Sequence, residues 1–189
     1  MKKLLLILLT LPLFSYSQNL IDEVFPTEDG KIVYQEVVII DSTLTAKDIY
    51  LNARNWMVDT FKSSKDVIQF EDNVNNVIIG RGFITKGHNA WINNPKDWFT
   101  IKIEAKDGRY RYKLYDVQYE FSITVMDVHK EFSDPIEKWG ETSLASLTNP
   151  KQKEKLSNKL KEFYLGLDTE FKSLISSLKT RAIKKDQQW

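Results

Sequence analysis

Few side chains in this sequence are suited to chemistry. His88 and His129 are the only histidines, and no Cys occurs in the 189 residues. Without Cys there is no thiol catalysis, no disulfide framework, no Cys-ligated zinc and no iron–sulfur cluster. A His/carboxylate metal site needs ligands at fixed spacings. Neither H-E-x-x-H nor any other His/Asp/Glu cluster of that kind is present, so no metal and no cofactor is expected. The G-x-S-x-G elbow, the Walker loop and the dinucleotide fingerprint are also missing. Either His would need the fold to bring it a Ser and a carboxylate, so no catalytic residue is assigned and an enzyme is not expected.

Recognition is the better-supported chemistry. The stretch 87–96 (GHNAWINNPK) reads as a loop in which Trp91 stands beside His88, Asn93 and Asn94. Loops carry function disproportionately, so these four are ligand-binding candidates; the alternative is that Trp91 folds back as a lid on the sheet edge. Gly80 and Gly82 flank Arg81 and fall on the same face of one strand. That leaves either a bare floor for a flat ligand or a slot for a bulky side chain such as Trp56.

The elements that position these residues follow from periodicity. Lys31–Ile40, after the Asp29-Gly30 turn signal, is rich in β-branched residues and predicts a strand over 31–40. Thr45 with Asp48 forms a weak capping box, and Ile49, Ala53, Trp56 and Phe61 mark a helix over 46–62. Strands follow at 66–71, 74–86, 97–106 and 109–126. Asp107-Gly108 is the pair favoured in a type I′ hairpin turn. It sets Ala105 opposite Tyr110, Ile103 opposite Tyr112, Ile101 opposite Leu114 and Glu104 opposite Arg111, making one face apolar and the other charged. Past Leu114 the apolar alternation moves from even to odd positions, which requires a bulge or bend near Asp116. Residues 127–149 show no clean period and read as an irregular connector. A long helix over 150–185 carries Leu156, Leu160, Phe163, Leu167, Phe171, Leu174 and Leu178 as its apolar stripe. The order is β-α-β4-α, an α+β two-layer domain with both helices on one face of an antiparallel sheet.

Residues 1–17 read as a signal peptide. Lys2 and Lys3 precede the apolar run Leu4–Phe14, and Ser15-Tyr16-Ser17 offers small residues for cleavage before Gln18. The run is about half the ~20 residues needed to span a bilayer. Export to the periplasm or beyond is therefore expected, with the domain spanning 18–126.

Charge is divided along the chain. Lys plus Arg total 27 and Asp plus Glu 26, a balance that argues against a nucleic-acid binder. Residues 150–189 hold 10 basic and 5 acidic residues, whereas 18–149 hold 15 and 21. Either the basic helix docks on its own acidic body, or it meets anionic lipid or another partner. Thirty-five helical residues span ~52 Å, about 15 Å more than a body of that size. The helix must break near Gly166, or its distal residues Phe171, Leu174 and Leu178 seek a partner such as a second copy.

Four segments occur in an order that resembles a known family: FPTEDGKIVYQEVVI (25–39), the Tyr50…Trp56 helix, Ile79-Gly80-Arg81-Gly82, and Lys106-Asp107-Gly108-Arg109-Tyr110-Arg111. They are similar to a secreted bacterial family known only as a domain of unknown function with a TBP-like (TATA-binding-protein-like) fold, over roughly residues 25–120. The resemblance implies β-α-β4-α topology and no activity, and the role of TBP does not follow from its fold. The expected function is a non-enzymatic binding module of the cell envelope, taking a small apolar ligand or an envelope protein. The alternatives are an oligomerising protein acting through the final helix, and a hydrolase built on one His.

Overall fold

The computed structural model describes residues 20–40, 43–61, 67–85, 93–125 and 127–184. The signal-peptide reading and the candidates His88 and Trp91 lie outside these residues. Helix α1 (Leu20–Val24) leads into a small hairpin of β1 (Thr27–Glu28) and β2 (Lys31–Ile32). Then come β3 (Tyr34–Ile39), α2 (Ala46–Phe61), β4 (Ile68–Asp72), β5 (Val77–Thr85), β6 (Asn93–Lys106), β7 (Arg109–Val125) and β8 (Val128–Pro135). Helices α3 (Ile136–Ala145) and α4 (Pro150–Ala182) complete the fold. The main sheet is antiparallel in the order β3-β7-β6-β5-β4. The long β7 lends one edge to β3 near Arg109–Leu114 and to β8 near Gln118–Val125.

The helices cover one face, as the alternation requires. The Phe99 ring of β6 touches Phe61 of α2 at 5.8 Å and Phe171 of α4 at 5.4 Å between centroids. Ile101, Ile103, Tyr110, Tyr112 and Leu114 are buried on the same side. The β6/β7 register pairs Ala105 with Tyr110, Ile103 with Tyr112, Ile101 with Leu114 and Glu104 with Arg111. The change of phase is a bulge: β6 advances two residues from Trp98 to Thr100 while β7 advances three from Gln118 back to Tyr115. Asp116 adopts φ 55° there, and Val117 and Tyr119 return to the buried face.

Helix α2 begins as its sequence dictates. The Asp48 N–H donates to Thr45 Oγ1 at 3.2 Å, and the Thr45 N–H donates back to Asp48 Oδ2 at 3.0 Å. These reciprocal bonds satisfy donors that a helix start leaves open. Helix α4 has Asn149 as N-cap, its side chain accepting from the Lys151 and Gln152 N–H groups, with Pro150 inside the first turn. At the other end, buried Asn52 of α2 donates to the carbonyls of Ala182 and Lys184.

Several boundaries differ from expectation. The 31–40 segment is not one strand; it breaks at Val33, whose N–H donates to Pro26. At Asp107-Gly108 only Gly108 has positive φ (66°), so the turn is not type I′. The Asp107 carboxylate instead accepts the Ala46 N–H at 2.7 Å and anchors the turn to α2. Both central residues are left-handed at Asp29-Gly30 (φ 52° and 72°), where a type I′ turn belongs. Strand β6 starts at Asn93 rather than 97, with a register shift between Asn93 and Lys96 that accommodates Pro95. Residues 127–149 are not an irregular connector: they contain β8 and α3. Strand β8 is exposed on both faces along most of its length, so it has no apolar alternation to read.

Candidate ligand-binding cleft

Helix α4 runs unbroken through Gly166, and its distal half is the covered half. Phe171 and Leu178 are fully buried and Leu174 packs against the core. These three residues are not a free partner-binding stripe; α2, β3 and β6 already occupy it. The basic face docks on the acidic body through Lys161–Glu23, Lys179–Glu36 at 2.6 Å and Arg181–Asp59 at 3.7 Å. Lys179 and Tyr112 both donate to Glu36, and its carboxyl is held below the usual range chiefly by the Lys179 contact. It is the proximal end that stands clear, residues 150–155 being exposed.

That proximal overhang makes a cleft. α1, α3 and α4 from Lys153 to Tyr164 line an open cleft of about 560 Å³. Leu20, Ile21, Leu144 and Leu160 supply apolar wall; Glu137, Glu141, Lys153 and Ser157 supply polar groups. Glu137 and Glu141 lie four apart on α3, so one helix face presents both carboxylates. Glu137 also accepts the Ile32 N–H at 2.9 Å, which ties α3 to the β1/β2 hairpin. Tyr164 forms the floor with its hydroxyl buried and without a hydrogen-bond partner. The approach is close: a Cβ at Gly140 would sit 1.9 Å from that hydroxyl oxygen, so only glycine admits the ring here. Burial, and then the charges of Glu137 and Glu141, push the Tyr164 phenol above its ordinary range.

The glycine floor is not open. A Cβ on Gly82 would lie 2.7 Å from the Phe61 ring, and one on Gly80 2.9 Å from Met57 Sδ. The slot is filled from α2, by Phe61 and Met57 rather than by Trp56. Arg81 points to the other face, donating to Gln118 at 3.0 Å beside the Trp98 ring. Asn93 belongs to β6, and Asn94 is exposed with φ 49°. The structure thus separates Gly80 and Gly82, beneath the helices, from Arg81 and Asn94.

Other polar residues were not legible beforehand. Asp97 and Asp168 are buried carboxylates. Asp97 lies near Tyr119, whose phenol is pushed up to about 12 by burial and then by that charge. The 127–149 segment as a whole has no clean period that would mark the cleft, although Ile136, Trp139, Gly140 and Leu144 carry helical spacing after Pro135. His129 lies 3.3 Å from Thr124 Oγ1 and 3.5 Å from Glu131. Thr124 and His129 are cross-strand partners, so the contact follows from the β7/β8 register. His129 and Glu131 are 56% and 80% exposed, where water screens the pair. Among the described residues no group of His, Asp and Glu is arranged to hold a metal. None of the helices described is long and apolar enough to cross a membrane.

Solved structures share the fold. A DUF4468 family protein from Bacteroides ovatus aligns with a TM-score of 0.51 at 18% identity, covering 88% of this chain and 94% of that one. A TBP-like protein from Parabacteroides distasonis aligns with a TM-score of 0.53 at 15% identity, covering 82% and 97%. No curated protein matches the chain. The family model for the domain of unknown function with TBP-like fold matches β3 through most of β7, and the residues that line the cleft lie outside it. Residues 34–120 match the model of that family, DUF4468.

Proposed function

We propose that the protein is a non-enzymatic binding module of the bacterial cell envelope that holds a small amphiphilic ligand between α1, α3 and α4. The supporting observation is the divided lining of the 560 Å³ cleft, apolar on Leu20, Leu144 and Leu160 and ionic on Glu137, Glu141 and Lys153. A volume of several hundred Å³ with a few placed polar groups suits a small molecule. The unpartnered Tyr164 hydroxyl in the floor adds a polar atom that a small opening of α3 from α4 would offer to a ligand. The signal-peptide pattern read in residues 1–17 of the sequence supports the envelope location.

Native mass spectrometry of the chain from Gln18 onward, incubated with a mixture of small amphiphiles, tests the reading. A one-to-one adduct that Ser157→Trp abolishes, by filling the cleft from α4, is the expected result. Adducts that persist in that variant, or none with the parent, overturn it. A hydrolase is the second reading, favoured by the Thr124–His129–Glu131 contact. Ester hydrolysis lost in His129→Ala would establish it instead.

A further inference from the structure

The sheet face turned away from the helices has a character of its own. Across β5, β6 and β7 it carries seven Lys and Arg side chains against Glu104, Asp116 and Glu120. Glu104 is shared by Lys102 and Arg111, and Glu120 pairs with Lys96. Lys106 and Arg109 make no ion pair with a described residue; with Arg111, Val37 and the Glu104 carboxylate that Arg111 pairs they rim a depression of about 250 Å³. The carboxylates nearest this end are held by other donors and make no ion pair with Lys106 or Arg109. Asp48 is engaged by Thr45, Asp72 by the Val74 and Asn75 N–H groups, and Asp107 by the Ala46 N–H.

The same end exposes aliphatic side chains. Ile39 is 82% exposed and pairs with Arg109; Val37 is 56% exposed and pairs with Arg111. Val74, 87% exposed, stands in the β4/β5 turn, which reaches this end through the Ala105 N–H to Asn76 carbonyl bond. Three bare aliphatics beside two unpaired cations, Lys106 and Arg109, is an uncommon surface for a water-facing sheet.

We propose that this end of the open face docks on an anionic lipid surface. Ile39, Val37 and Val74 enter the boundary between headgroups and acyl chains, while Lys106, Arg109 and Arg111 lie at the headgroups. A dissolved polyanion would satisfy the cations but return nothing for the aliphatics. A second copy would bring two basic faces together against their repulsion. The surface is independent of the α1/α3/α4 cleft and gives the binding module a place to stand.

Cosedimentation of the chain from Gln18 onward with vesicles tests it, using phosphatidylcholine alone or mixed with phosphatidylglycerol. The protein is expected to sediment only with the anionic vesicles. Each cation near such a surface is worth about a fivefold change in partition, so Lys106→Ala with Arg109→Ala lowers binding about 25-fold. Ile39→Asp lowers it about tenfold through lost apolar burial. Thermal unfolding of these variants, all at exposed positions, is expected to match the parent and shows that the fold is kept. Equal binding to both vesicles, binding to neither, or unchanged binding by the variants overturns the proposal. So does binding of a soluble polyuronate or oligonucleotide, lost in the same variants, that anionic vesicles do not compete away.

Discussion

Tyr34 of β3 donates its hydroxyl to Asp168 of α4 at 2.6 Å, across 134 positions of sequence. Asp168 also accepts from Lys172 at 2.8 Å and is 7% exposed. The phenol is pushed far above its ordinary range by burial, then by the Asp168 hydrogen bond and charge. One bond to a buried carboxylate thus fixes the long helix to the sheet edge. Tyr34→Phe removes it while keeping the ring against Phe171, and is expected to cost about 1.5–3 kcal/mol. Urea denaturation of Tyr34→Phe, Asp168→Ala and the double variant checks this: the double variant should cost less than the sum.

Alkaline pH should unfold the domain cooperatively. Tyr34, Tyr110, Tyr112, Tyr119 and Tyr164 all have raised phenol pKa values, burial being the largest cause in each. Unfolded tyrosine ionises near pH 10, so above that pH the unfolded chain loses protons that the native state retains. Stability is then full below pH 10 and falls by about 1.4 kcal/mol per buried tyrosine per pH unit above it. Those losses together exceed a typical domain stability within one to two pH units. Tyrosinate absorbance and circular dichroism should change together between about pH 11 and 12. Tyrosines titrating one by one with the secondary structure intact would contradict this.

The two strand glycines should differ in tolerance. Gly82 faces the Phe61 ring, itself wedged between Trp56 and Phe99, so Gly82→Ala forces a shift costing about 1–3 kcal/mol. Gly80→Ala meets the flexible Met57 thioether most closely, with the Val67 carbonyl oxygen at 3.3 Å, and should cost less. Thermal denaturation that ranks them the other way would mean the slot is not packed from α2.

The bulge supplies a fourth prediction. Asp116 is left-handed, a conformation that Gly adopts freely and a β-branched residue resists. Asp116→Gly is expected to be near neutral in chemical denaturation and Asp116→Val to lose about 1–2 kcal/mol. Equal effects would indicate that the phase change is absorbed elsewhere.

These features were legible to different degrees, for physical reasons. The β6/β7 register could be read because Ile101, Ile103, Tyr110, Tyr112 and Leu114 alternate without error, and the bulge because that alternation shifts at Asp116. The turn type could not, since Asp107 is recruited by the Ala46 N–H on another element. β8 was hidden because most of its side chains face water on both sides. Length alone requires α4 to outreach the body but does not say at which end: burial of Phe171 and Leu178 depends on tertiary contacts with β3, β6 and α2. The cleft joins residues from Leu20 to Tyr164, and no local pattern marks that convergence.

The measurement that bears most directly on the binding role is electron density from crystals soaked in the amphiphile selected by native mass spectrometry. The account predicts the molecule between Leu144 and Leu160, its polar end at Glu137, Glu141 or Lys153, and within hydrogen-bond distance of Tyr164 Oη. Density for that molecule elsewhere on the chain, with only water between α1, α3 and α4, would contradict it.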